Sequence, residues 1–161
     1  MKIKLLTCLA ALFLALLLVS SAVASATGEE PREIGTMQLL GLLRDAKDQV
    51  VVVNFFATNC PPCLEEIPNL IEIRKEYKDE DLELVGLSVD FDRPVLLAFM
   101  DKMGFNYPVY LAKMDVAQTF QVQAIPRLLV YDRQGKLVVD HTGFMEPDAL
   151  RVILDSLLGK Q

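Results

Sequence analysis

The sequence predicts an α/β domain built on a central mixed β-sheet flanked by helices on both faces. Three observations predict it. The run VVVVNFF at Val50–Phe56 is almost wholly apolar and β-branched or aromatic, the composition of a strand covered on both sides. A second such run, LELVGLSV at Leu82–Val89, follows a segment with helical signals, the alternation that makes a parallel sheet with crossover helices. From Ile125 the grammar changes to IPRLLVYD and LVVDHTG joined by the Gly-containing turn DRQGK, an antiparallel pair.

In chain order, Thr36–Lys47 carries Met37, Leu39, Leu40, Leu42 and Leu43 between polar residues and reads as an amphipathic helix. The strand at Val50–Phe56 leads into a helix over Pro61–Tyr77. Pro61 and Pro62 stand in its first turn, where a missing N–H costs little, and Pro68 inside it is expected to kink it. After Leu82–Val89, Asp92 and Pro94 signal the start of a helix that runs to about Met103. Tyr107–Leu111 is a short extended piece and Asp115–Val122 a short helix. Glu146–Leu158 closes the chain as a helix with Leu150, Ile153, Leu154, Leu157 and Leu158 along one side. Right-handed crossovers place Val50–Phe56 in the sheet interior.

Residues 1–26 have a different character. Lys2 and Lys4 precede an apolar stretch, and Ala22, Ala24, Ser25 and Ala26 follow it, the pattern of a secretory signal peptide cut after Ala26 or, second, Ala24. The alternative is an uncleaved anchor, since residues 5–24 approach the roughly 20 apolar residues that span a bilayer. Either way the remainder is exported, periplasmic or otherwise extracytoplasmic. Residues 27–35 read as a flexible polar lead-in and 36–161 as one domain. Loss of the leader removes Cys8 and leaves Cys60 and Cys63 as a pair. It also leaves 14 basic against 22 acidic residues, a net charge of −8, which repels nucleic acid and anionic lipid.

The chemistry gathers at FFATNCPPC, Phe55–Cys63. Cys60 stands just beyond the carboxyl end of a strand and just before a helix, where sites form in such sheets. The helix N-terminus favours a thiolate and lowers the Cys60 pKa. Cys63 follows at i+3 on the same face, close enough to form a disulfide. Cys60 is therefore the expected nucleophile and Cys63 the resolving thiol. A purely structural bridge is a poor alternative, because so small a loop constrains the unfolded chain little. Zinc is another poor fit: after Cys60, Cys63 and His141 the ligands run out before carboxylates are recruited. No metal and no cofactor beyond the Cys60–Cys63 disulfide is expected.

The segment VVVVNFFATNCPPCLEEIP resembles the active-site segment of the thioredoxin superfamily, specifically its periplasmic TlpA/ResA-like branch. LVGLSVDFD, AIPRLLVYDRQGKLV and HTG before the last helix agree with it, so the resemblance covers about residues 50–158. It implies a thioredoxin fold and a cis-proline at Pro126 facing the cysteines. The Ile125 backbone would then be open to an extended client segment. It also implies a thiol-disulfide oxidoreductase acting in the reducing direction. Electrons would come from a membrane thiol carrier, and clients would be disulfide-containing exported proteins such as apocytochrome c or metal-site assembly proteins. The alternatives are an oxidase of secreted proteins and a non-catalytic metal-handling or assembly-binding protein of the same fold. A peroxidase is a weaker reading, since the chain has no separate peroxidatic cysteine motif.

Around the pair, Glu66 lies three residues after Cys63 among Leu64, Ile67 and Leu70. A partly buried carboxylate there would have a raised pKa and could take the resolving thiol's proton. Asn54, where many thioredoxins have a buried aspartate, cannot titrate. Asn59, Pro61 and Pro62 flank the cysteines as candidate client contacts. Phe56 and Asn59 stand where the branch usually has tryptophan, which makes this surface smaller and more polar. Arg127 follows Pro126 where a small hydroxyl residue is common, and is expected to place a cation beside the docking strip, lowering the Cys60 pKa further or selecting acidic clients. His141 reads as an edge or surface residue, Asp90 and Asp92 as a strand end and a helix cap, and Phe55, Phe56 and Tyr131 as core.

Overall fold

The computed structural model describes residues 32–160. The signal peptide or anchor expected over residues 1–26 lies outside them, and no helix among the described residues is long and apolar enough to cross a membrane.

Among the described residues, six strands form one sheet: β1 (Glu33–Ile34), β2 (Val50–Phe56), β3 (Leu82–Ser88), β4 (Val109–Ala112), β5 (Arg127–Tyr131) and β6 (Leu137–Thr142), in the order β1-β4-β3-β2-β5-β6. The first four positions are mutually parallel, while β5 runs antiparallel to both of its neighbours, β2 and β6. The helices that cover it, among the same residues, are α1 (Thr36–Asp45), α2 (Pro61–Glu76), α3 (Arg93–Met103), α4 (Met114–Thr119) and α5 (Pro147–Leu158). This is the mixed sheet and two-sided helical cover of the thioredoxin fold.

Strand β2 is buried at every position, as its composition requires of a strand with helices above and below. Its alternate residues feed two cores. Val50, Val52 and Phe56 pack with Ile67, Leu70 and Ile73 of α2, Leu96 of α3, and Leu150 and Leu154 of α5. Val51, Val53 and Phe55 pack on the other face with Leu39 of α1 and Val116 of α4. Each fully buried large side chain contributes on the order of 1.5–3 kcal/mol.

The sheet begins earlier than the sequence suggests. Glu33 and Ile34, the end of the polar lead-in, pair with Leu111 and Ala112 as β1, and Ile34 is buried. A two-residue strand has too little periodicity to be read locally. Helix α2 runs unbroken through Pro68 to Glu76. Asp92 caps α3, accepting from the Val95 N–H at 3.2 Å, and α3 ends at Gly104 in the left-handed conformation (φ 66°). Helix α4 is displaced from its expected span because Thr119 is its last residue. Phe120 then turns toward the Phe55 ring, 6.0 Å away, and Gln121 takes a positive φ of 51°.

Candidate active site

Strand β2 ends at Phe56, and Ala57–Asn59 carries the chain to Cys60 at the N-cap of α2. Pro61 and Pro62 occupy the first helical positions and have no N–H. The Leu64 N–H already donates to the Cys60 carbonyl at 3.1 Å. That leaves the Cys63 N–H as the spare donor of the first turn. Cys60 and Cys63 are joined as a disulfide with their Cα atoms 5.2 Å apart. The two sulfurs are not equivalent: Cys60 keeps 8% of its surface, whereas Cys63 keeps none. Asn59 and Pro61 are exposed on either side and Pro62 is half-buried, so these three form the rim around Cys60.

One turn beyond Cys63, Glu66 is 1% exposed and Asn54 on β2 fully buried. The Asn54 Nδ2 donates to Glu66 Oε2 at 2.8 Å, and the Met145 N–H, just before α5, donates to Oε1 at 2.9 Å. Burial pushes the Glu66 carboxyl up from its ordinary value of 4.5, against the Met145 and Asn54 hydrogen bonds and the charge of His141, which pull it down. The result is a buried acid one helical turn beyond the buried sulfur, with its pKa raised by burial. Glu65 is exposed. His141 lies on β6 opposite Leu128, half-buried, with Nε2 3.3 Å from the Phe144 carbonyl.

The Ile125–Pro126 peptide bond is cis. Arg127 pairs with Phe55 across β2 and β5, so the antiparallel register brings Pro126 and Ile125 to the end of β2 from which Cys60 departs. The Pro126 carbonyl accepts from the Gly143 N–H at 2.8 Å, and Ile125 packs against the core that includes Cys60.

The Arg127 side chain does not lie where the sequence suggests. It stands on the face of the sheet shared with Phe55 and Leu129, opposite the face that carries Cys63 and Glu66. Its Nε and Nη2 form a two-pronged pair with Asp140 of β6, each at 2.8 Å, and Nη1 donates to the carbonyls of Phe120 and Gln121. The charge is spent on tying β5 to β6 and to the loop before Pro126. Only the backbone of Arg127 borders the docking strip.

One contact was not legible in the sequence. Asp90 does more than close β3: its carboxylate accepts from the N–H and Oγ1 of Thr58, each at 3.0 Å, and from Ser88 Oγ at 2.6 Å. It thereby clamps the loop two residues before Cys60. The sequence signal, an Asp two residues past a strand end, is common to many loops.

The model of the AhpC/TSA family matches residues 37–140. Among curated proteins, the thiol-disulfide oxidoreductase ResA of Halalkalibacterium halodurans is 28% identical over 104 residues, which cover 64% of this chain but only 59% of that protein. The thioredoxin-like protein YneN of Bacillus subtilis is 30% identical over 116 residues, 70% of this chain and 68% of that protein. Among solved structures, a thiol:disulfide interchange protein from Chlorobium tepidum superposes with a TM-score of 0.67 at 29% identity, over 72% of this chain and 84% of that one. A thiol-disulfide isomerase from Corynebacterium glutamicum, at 22% identity and a TM-score of 0.66 over 73% of this chain and 86% of that one, shares the fold.

Proposed function

The chain belongs to the AhpC/TSA family, and on that premise we propose that it is a thiol-disulfide oxidoreductase that works outside the cytoplasmic membrane and reduces disulfides in exported proteins. The observation that carries this reading is the asymmetry of the pair: a Cys60 that keeps 8% of its surface at a helix mouth, and a sealed Cys63 with a buried carboxylate one turn further along the helix.

In the dithiol form the Cys60 thiolate attacks one sulfur of a client disulfide. A Cys60–client bond forms, the client's S–S bond breaks, and the departing sulfur leaves with its electron pair. Cys63 is still protonated and buried. Glu66 takes its proton, and the resulting thiolate attacks the Cys60 sulfur. The client's second sulfur leaves, and the Cys60–Cys63 disulfide of this structure is restored. The client thiolates acquire protons from solvent, and two electrons have passed from the pair to the client. The Ile125–Pro126 strip at the end of β2 offers backbone for the client segment to lie against. Asn59, Pro61, Pro62 and the Arg127 backbone border the same place.

The reducing direction, the membrane thiol carrier as electron donor, and apocytochrome c or metal-site assembly proteins as clients follow from the TlpA/ResA-like resemblance. The names of the ResA relatives support oxidoreductase chemistry. The test is a trapping experiment: Cys63→Ser is expected to accumulate a mixed disulfide on Cys60, and Cys60→Ser to abolish disulfide reduction. Retained reduction in Cys60→Ser would refute the assignment. A potential of the pair near about −270 mV supports a reductant, and one near about −120 mV an oxidase.

A further inference from the structure

Two buried polar atoms on the face of the sheet that carries Cys63 have no part in the chemistry described so far. The Asn54 Oδ1 and the Tyr107 hydroxyl are buried with no hydrogen-bond partner among the described residues. Buried polar groups left unpaired cost free energy, so a pair of them beside a functional acid calls for a physical cause.

The two belong to one compartment. Asn54 and Gly86 are register partners on the adjacent parallel strands β2 and β3 and so face the same side of the sheet. Gly86 has no side chain there, and the Tyr107 ring uses the space: its Cε2 lies 3.3 Å from where a Cβ on Gly86 would stand. Phe56 closes the same spot at 3.3 Å, and Phe105 meets the Tyr107 ring edge-on at 5.1 Å. Tyr107 is 6% exposed. Burial raises its phenol far above the ordinary 10.0 and the Glu66 charge raises it further, so the group is a neutral hydroxyl that senses Glu66.

We propose that Tyr107 is a positioning residue for the proton-transfer step: its hydroxyl and the Asn54 Oδ1 hold an internal water against the Glu66 carboxyl, and that water sets the pH at which Glu66 takes the Cys63 proton. A water needs two to four polar partners in such a place, and the Tyr107 hydroxyl, the Asn54 Oδ1 and the Glu66 carboxyl would be its three. It accepts from the Tyr107 hydroxyl and donates to the Asn54 Oδ1. Its second hydrogen goes to Glu66, whose oxygens already accept from Asn54 and Met145. A donor to the carboxylate favours the charged form, so the water holds Glu66 lower than burial alone would. In the step itself the Cys63 S–H bond breaks and an O–H bond forms on Glu66. The electron pair stays on the sulfur for attack on Cys60. The groups acting on Glu66 are Asn54 from β2, the Met145 N–H before α5 and the His141 charge from β6; Tyr107, from the segment before β4, is in turn acted on by the Glu66 charge.

The inference rests on Glu66 being the proton acceptor, and the test separates the two. In the full chain in its dithiol form, Glu66 is titrated by carboxyl carbon NMR in the wild type and in Tyr107→Phe, with Glu66→Gln identifying the resonance. The expected result is an upward move of the Glu66 midpoint by about half a pH unit or more in Tyr107→Phe. The acidic limb of the turnover profile should move with it. An unchanged Glu66 midpoint overturns the proposal. So does a higher thermal midpoint in Tyr107→Phe, which is what removal of a hydroxyl with no partner at all would give. If Glu66→Gln slows resolution while Tyr107→Phe leaves the titration alone, only this inference fails. If Tyr107→Phe moves the titration while Glu66→Gln turns over normally, the water stands and the proton-acceptor role fails.

Discussion

Asp90 accepts hydrogen bonds from both the backbone N–H and the hydroxyl of Thr58, each at 3.0 Å, and so joins the loop after β3 to the loop that delivers Cys60. The fully buried Ser88 donates to the same carboxylate at 2.6 Å. Asp90→Ala strands these donors and is expected to cost about 1–3 kcal/mol, a fall of roughly 4 °C in Tm per kcal/mol for a domain of this size. Alkylation of Cys60 in the dithiol form should slow as the N-cap loop loosens. Asp90→Asn keeps acceptor oxygen toward Thr58 and should recover most of the stability. Calorimetry and timed alkylation decide it: an alanine variant unchanged in both would show the clamp to be incidental.

The Arg127–Asp140 pair leads to an expectation opposite to the one its position in the sequence invites. Its guanidinium is nearly buried and satisfies two loop carbonyls as well as the carboxylate, so Arg127→Ala leaves those acceptors without a donor. The expected loss is about 1.5–3 kcal/mol, with Arg127→Lys recovering only part because an ammonium cannot reproduce the planar fork. The Cys60 pKa, followed by thiolate absorbance, should stay where it is. A rise of a unit in Arg127→Ala would mean that the cation acts on the sulfur after all.

Gly86 stands beneath an aromatic wall. A Cβ there would meet Val109 Cγ2 at 3.2 Å and the rings of Phe56 and Tyr107 at 3.3 Å, all from packed side chains with little freedom to retreat. Gly86→Ala is therefore expected to destabilise by about 1–3 kcal/mol through overpacking, even though alanine suits a strand better than glycine does. Urea unfolding measures it, and a stabilised variant would contradict the packing described.

The same particulars show what the sequence disclosed and what it withheld. VVVVNFF announced the central strand because a strand buried on both faces is apolar at consecutive positions. The place of Cys60 followed from that strand and from the two prolines that open α2. Glu66 was legible for a related reason: its spacing from Cys63 fixes its side of the helix. Side-chain destinations across the sheet were not. Arg127 is next to Pro126 in the chain, but strand alternation turns its charge to the far face. Thr58 and Asp90 are 32 residues apart, and Tyr107 comes to the Asn54 side of the sheet only through the pairing of β2 with β3 and the return of the chain before β4. Long-range register of that kind has no local signature.

Glu66 ties stability to pH in a direction opposite to that of the hydrogen-bonded carboxylates Asp115, Asp140 and Glu76. Burial raises its pKa in the folded chain above the ordinary 4.5, so the native state binds its proton more tightly than the unfolded state does. The resulting stabilisation is complete below about pH 4.5 and is lost as pH rises through the folded value. Asp115, Asp140 and Glu76, whose hydrogen bonds hold their carboxyls low, contribute the reverse. The Glu66 share is isolated by comparison with Glu66→Gln in the disulfide form, where neither cysteine titrates. The stability of the glutamine variant relative to the wild type should rise from pH 4 to pH 8, because the wild type alone must bury a charge at the upper end. Its resolution step should slow by about 10²-fold at neutral pH, since an amide cannot take the Cys63 proton. A stability difference that is flat in pH would mean that the carboxyl is not burdened by its burial, and the chemical role assigned to it would lose its physical basis.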